Sequence, residues 1–164
     1  MPLSERRNPA RNAAYALALL IPAALMGGAL IAQFGFGLFP CQMCWWQRYP
    51  HIAAIMLALL AQTRKGRGMG DLAVTLAALC VLASGLIGAF HAGVEYHWWE
   101  GLTTCSSSKI EGNALDAIMN APLVRCDTAP WTLLGISLAG FNFLISTSGA
   151  VLVLALLGRG RRSA

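Results

Sequence analysis

NAAYALALLIPAALMGGALIAQFGFGLFP, residues 12–40, followed at once by CQMCWWQRYP, residues 41–50, decides how this chain folds. The first stretch carries no charge and exceeds the roughly 20 residues an α-helix needs to cross a bilayer. The second opens with a Cys-x-x-Cys pair where one apolar run ends and the next begins. Two further charge-free runs, Leu72 to Val94 and Thr128 to Gly158, are also long enough to span. A fourth segment, Trp45 to Thr63, has one cation, Arg48, within about a turn of its end, where its head can reach the interface. With 57% hydrophobic and 12% charged residues, the chain is too apolar for the surface of a soluble domain of 164 residues.

The reading is therefore an all-α membrane protein, a single domain over residues 1–164 built as a four-transmembrane-helix bundle. Its spans are expected at about 13–36, 45–63, 72–92 and 132–157, in up-down-up-down order. Arg6, Arg7, Arg11, Arg64, Lys65, Arg67, Arg159, Arg161 and Arg162, nine of the twelve cations, fall on one side. The positive-inside bias makes that side, with both termini, cytoplasmic. The connection Phe34 to Cys44 and the long connection Gly93 to Trp131, with Glu95, Glu100, Glu111, Asp116 and Asp127, then lie outside. The first span outlasts a signal-peptide core and is read as retained. The net charge of +5 sits beside anionic lipid, so no nucleic-acid partner is implied.

Gly27, Gly28, Gly85, Gly88, Gly135 and Ala139 are spaced to let helix backbones approach, and Pro22 is expected to bend the first span. Leu115, Ile118 and Met119 recur at helical spacing beside Asp116 and Asn120. This predicts a short amphipathic helix on the outer bilayer surface. Trp45, Trp46, Trp98, Trp99 and Trp131 form an outer interfacial belt.

Of five cysteines, Cys41, Cys44, Cys105 and Cys126 lie on the outer side and Cys80 lies mid-span, as a small buried hydrophobe. In an oxidising compartment the four outer cysteines pair, in any of three connectivities. Inert stapling is the plain alternative. Against it stand Cys44 at the first turn of a helix, where the dipole favours a thiolate, and Arg48 at i+4 on the same face. A two-residue spacer would also restrain little as a staple. A four-thiolate zinc site lacks a second Cys-x-x-Cys and is disfavoured, so no metal is expected. His51 and His91 near the outer ends of their spans suggest bis-histidine haem ligation less readily than polar interfacial roles. His91 can instead hydrogen-bond a carbonyl-bearing cofactor near Cys44.

Pro40-Cys41-x-x-Cys44-Trp45-x-Gln47-Arg48, four spans, and an outer loop with Thr104-Cys105, Arg125-Cys126-Asp127-x-x-Pro130-Trp131 and Leu134-Gly135-Ile136-Ser137 together resemble the DsbB family of disulfide bond formation proteins. The likeness runs from the first span to the last. It implies a quinone-dependent thiol oxidase of the bacterial inner membrane with its redox cysteines facing the periplasm. Cys41 and Cys44 would be reoxidised by ubiquinone or menaquinone, with Cys44 contacting the ring and Arg48 stabilising developing charge. Cys105 and Cys126 would accept electrons from a soluble DsbA-like thioredoxin-fold oxidase, Cys105 being attacked first, and Cys126 would exchange with Cys41. A reductase running the relay backwards, a vitamin K epoxide reductase-like relative, and a disulfide-stapled scaffold are the competing readings.

Overall fold

The computed structural model describes residues 8–65, 68–102 and 124–162. The amphipathic helix expected around Leu115 to Met119 and the position of Cys105 lie outside the described residues. Among the described residues four helices make up the body: α1 (Pro9–Phe36), α2 (Gln42–Thr63), α3 (Gly68–Glu95) and α4 (Leu138–Arg162). Between α3 and α4 a two-stranded antiparallel hairpin pairs β1 (Thr132–Leu133) with β2 (Ile136–Ser137). Helices α1, α3 and α4 are each long and apolar enough to cross a membrane. The chain is a helical, multi-pass membrane protein.

Local chemistry sets the helix ends. Asn8 caps α1 by accepting from the Arg11 amide, with Pro9 at the first helical position, where its missing N–H costs nothing. Gly37, at φ 69°, closes the other end in the left-handed conformation, and the Leu38 amide returns to the Ala32 carbonyl at 3.0 Å. Three residues later Cys41, extended at φ −75° and ψ 176°, becomes the N-cap of α2. The hairpin turn places Leu134 (φ 52°) and Gly135 (φ 78°) both at positive φ, as a two-residue turn of the I′ kind requires. Residues 132–137, expected as the first turn and a half of the last span, therefore fold as a hairpin, and Gly135 serves a turn rather than helix packing.

Alanine and glycine fill the bundle interior. Ala14, Ala54, Ala58, Ala61, Ala77 and Ala78 are buried in one core with Tyr15, Val74, Val81, Val153 and Leu157. The large apolar side chains, such as Leu20, Ile31, Leu59, Leu86 and Val151, face outward. That inversion suits lipid, which solvates leucine as well as a core does, so helices associate by close backbone approach. Gly88 shows how close. A Cβ there would sit 2.9 Å from the Ala139 carbonyl oxygen and 3.0 Å from Asn142 Nδ2. Gly27 and Gly28 have open space instead, and Gly28 borders a cavity rather than a helix seam.

At the basic end, Asp71 on α3 ties three helices. It accepts from Tyr15 Oη (2.8 Å) and Arg11 Nε (3.0 Å) on α1, and from Arg161 Nε (3.2 Å) on α4. At the opposite end, Tyr96 holds the hairpin by accepting from the Ser137 amide and donating to the Gly135 carbonyl. Trp99 lies over Gly93 and donates its indole N–H to the Phe90 carbonyl at 2.9 Å.

Candidate redox site

The cap that starts α2 also builds the site. Because Cys41 is the N-cap, its Sγ, not that of Cys44, accepts the helix-terminal amide, Cys44 N–H, at 3.3 Å. The dipole argument made from the sequence for Cys44 therefore applies to Cys41. The two sulfurs lie 3.0 Å apart as free thiols, and His91 Nε2 is 3.5 Å from Cys41 Sγ. The hydrogen bond shared with Cys44 is the largest reason the Cys41 thiol is lowered to about 4, with His91 adding to it against the opposing effect of burial. At neutral pH, Cys41 is the thiolate of the reduced pair and Cys44 keeps its proton.

His91 is held from behind. Gln47 Nε2 donates to the Met43 carbonyl at 3.3 Å and stands 2.9 Å from His91 Nδ1. The Gln47 Oε1 accepts from Asn142 Nδ2 at 2.8 Å, which fixes the amide orientation and makes Nδ1 the acceptor. The imidazole hydrogen then sits on Nε2, facing Cys41. Asn142 Oδ1 accepts in turn from Ser146 Oγ (2.7 Å) and His51 Nε2 (3.0 Å). Ser84 Oγ donates to the Gln47 carbonyl at 2.8 Å. The two imidazoles are thus joined through two amides across α2, α3 and α4.

Arg48 does share the site with Cys44, yet its hydrogen bonds go to α1: Nη1 to Gln33 Oε1 at 2.6 Å and Nη2 to the Ala29 carbonyl at 3.3 Å. Its guanidinium carbon lies 5.0 Å from the centre of the Trp45 ring. Its charge reaches the dithiol through space, without a hydrogen bond to either sulfur.

Two cavities meet at the dithiol. An inner one of about 260 Å³ runs along α1, lined by Leu25, Ala29, Phe39 and Phe141 with Cys44, Arg48, His51 and His91. An outer one of about 340 Å³ is bordered by Cys41, Val124, Arg125 and Thr128. Cys44, His91 and Glu95 border both. Cys126 is fully buried against Cys41, Met43 and Val94 and is disulfide-bonded. Its backbone also hydrogen-bonds His91. Cys80 is a free thiol packed beside the alanine core, away from this end.

Cys41, Cys44, Cys126, Arg48 and His91 are therefore gathered at one end of the bundle. Asn142, Ser84 and Gln33 were not singled out from the sequence, and Gln47 entered only as part of the motif that begins with Pro40 and Cys41. Uncharged polar residues inside otherwise apolar helical runs were the signal that could have marked them. Glu95, expected in the outer loop, is the last residue of α3 and is buried. Helix α3 continues through Gly93 because Trp99 folds onto that bare backbone.

Fold and site define a multi-pass helical membrane protein with a buried dithiol, set between an apolar cavity and an outward vestibule. Residues 11–156 match the family model for disulfide bond formation protein DsbB. A disulfide bond formation protein B of Verminephrobacter eiseniae (strain EF01-2) is 33% identical, covering 96% of this chain and 91% of that protein. Namesakes from Acidovorax sp. (strain JS42) and Azoarcus sp. (strain BH72) are 32% and 33% identical, covering 86% and 85% of this chain and 88% and 87% of theirs. The chain belongs to the DsbB family. No solved structure matches it.

Proposed function

We propose that this protein is a thiol:quinone oxidoreductase of the bacterial inner membrane that reoxidises a periplasmic DsbA-like disulfide donor. In this reading four helices span, both termini are cytoplasmic, and the Cys41 end faces the periplasm. The observation that carries the reading is that Cys44 borders both cavities. One sulfur is thereby reachable from an apolar slot beside α1 and from the outer vestibule. A staple needs neither cavity, nor a dithiol left free beside an imidazole.

The inner cavity suits a quinone. Its walls are apolar for a ring and tail, and it contains two buried polar atoms without partners, His51 Nδ1 and Glu95 Oε2. A bound ubiquinone or menaquinone would supply a two-electron, two-proton acceptor. Cys44 and His91 would hold its polar edge, and Arg48, anchored to α1, would favour negative charge there. On the vestibule side Cys126 pairs with Cys105, and that disulfide takes electrons from the partner's dithiol through attack at Cys105. Exchange of Cys126 with Cys41 then links the pairs. In that exchange the Cys126 thiolate released by the partner attacks Cys41 Sγ of the Cys41–Cys44 disulfide and Cys44 leaves as the thiolate; Cys126 is packed against Cys41, as the attack requires.

The test is direct. Purified protein, reduced and freed of reductant, is mixed with a short-chain ubiquinone analogue. The Cys41–Cys44 disulfide should return, with quinol formed in equal amount. Arg48→Met should raise the quinone KM, and Arg48→Lys should restore part of the loss. Thiols that persist in quinone would overturn the reading in favour of a scaffold.

A further inference from the structure

Electrons and protons balance in the proposed reaction. Two thiols becoming a disulfide lose two of each, and a quinone becoming a quinol gains two of each. Yet one thiol proton has already left. Cys41 is a thiolate before the electrons move, so its proton has to wait on a group that adjoins both the sulfur and the acceptor.

Glu95 has that placement. It lies one turn beyond His91 on α3, its side chain is 2% exposed, and its Oε1 is 3.7 Å from His91 Nε2, the same nitrogen that faces Cys41 Sγ at 3.5 Å. Ser137 of β2 hydrogen-bonds its carboxyl. Its Oε2 is buried with no partner, and the residue borders both cavities. The charged and titratable groups around it are His91 on its own helix, Cys41, Cys44 and Arg48 from α2, and Arg125 across the vestibule. An ionised carboxylate with one bare oxygen is poorly tolerated in such a place, whereas a protonated one is neutral.

We propose that Glu95 is the proton store of the dithiol site: across the outer cavity that both residues border it takes the proton that Cys41 gives up, and it returns that proton to the acceptor in the inner cavity as the disulfide closes. The inference rests on the oxidase reading. In the reduced site Cys41 is S⁻, Cys44 is SH and Glu95 is COOH. On oxidation the Sγ–Sγ bond forms and the electron pair passes to the quinone. One proton follows from Cys44 and one from Glu95, leaving a carboxylate. The site therefore carries one negative charge on these three groups before and after, so a buried pocket changes redox state without changing charge. Re-reduction by the partner's dithiol returns two protons, one to Cys44 and one to Glu95.

The experiment is redox-difference infrared spectroscopy on the purified full chain without quinone, reduced by a chemical dithiol and oxidised by a thiol-specific oxidant. A protonated-carboxyl stretch should be present in the reduced form and lost on oxidation. E95Q should abolish it, and E95D, which keeps the carboxyl, should retain a shifted band and serves should E95Q not fold. In quinone turnover E95Q should lower kcat by roughly 10²-fold, the usual scale of a lost acid–base group, with quinone KM unchanged. A carboxyl band indifferent to redox state, or full kcat in E95Q, would overturn the proposal. Because the infrared arm uses no quinone, it decides on Glu95 even where quinone fails to oxidise the protein, the result that sinks the oxidase reading itself.

Discussion

Asn142 of α4 hydrogen-bonds to both α2 and α3, and Asn142→Leu tests whether the polar network holds the bundle as well as the site. Its Oδ1 accepts from His51 Nε2, and its amide has Gln47 Oε1, the Ser84 carbonyl and Ser84 Oγ within 2.8–3.1 Å. Two N–H groups can satisfy only two of those acceptors at once, so about three interhelical hydrogen bonds exist together. Hydrogen bonds between membrane helices average about 0.6 kcal/mol, which gives a loss of about 2 kcal/mol. Charging each abandoned group the ~1–3 kcal/mol seen in soluble proteins would give about 6 kcal/mol instead. Leucine is close to asparagine in volume, so cavity and overpacking effects are small. Unfolding in mixed micelles with increasing denaturing detergent separates the two values. Ser148→Ala, which removes a bond only to its own helix at Leu144, is the control and should stay within about 0.5 kcal/mol. A loss for Asn142→Leu no larger than the control's would refute the network as a structural element, and with it the argument that His91 is held in one tautomer.

Two further outcomes are expected. Alkylation of Cys41 in the reduced protein should stay fast as pH falls and drop only near a pH of about 4; since its folded pKa lies below the ordinary thiol value of 9.0, the stability that the thiolate adds to the reduced form is complete above that value and is lost as pH falls through about 4. A rate that falls away just below the ordinary thiol range would show that Cys44 and His91 do not hold the Cys41 thiolate. At the other end, Asp71→Asn should cost about 3 kcal/mol in the same detergent titration because it removes the part-buried carboxylate charge shared by Arg11, Tyr15 and Arg161. Arg161→Ala, at a half-exposed partner, should cost under about 1 kcal/mol.

Much of this was legible from the sequence, because charge-free runs and a Cys-x-x-Cys at their boundary are one-dimensional signals. The gathering of Cys41, Cys44, Arg48 and His91 follows from helix periodicity and from where each run ends. Which sulfur receives the helix-terminal amide did not follow, since it depends on whether Cys41 or a neighbour becomes the cap, and that is settled by the extended backbone after Gly37 and Pro40. Glu95 was misplaced for a related reason. An acidic residue at the edge of an apolar run reads as solvated, and only the fold of Trp99 onto Gly93 carries α3 far enough to bury it. Asn142 and Ser84 are unremarkable in sequence because their partners lie on other helices.

The same accounting explains why α2 can carry Gln47, Arg48 and His51 inside an otherwise apolar bundle. Each polar side chain that faces away from lipid must find its partners within the bundle or remain costly. Arg48 finds them on α1, Gln47 on α3 and α4, and His51 on α4, so α2 is bound to every other helix by a different residue. The substitutions that would make α2 a better membrane helix by hydropathy are therefore the ones that would release His91, unseat Arg48 and widen the cavity beside Cys44. The low apolarity of α2 and the geometry of the dithiol site have a single cause. A hydropathy scan of this segment understates its hold in the bundle, because the groups it counts as costs are spent on contacts with α1, α3 and α4.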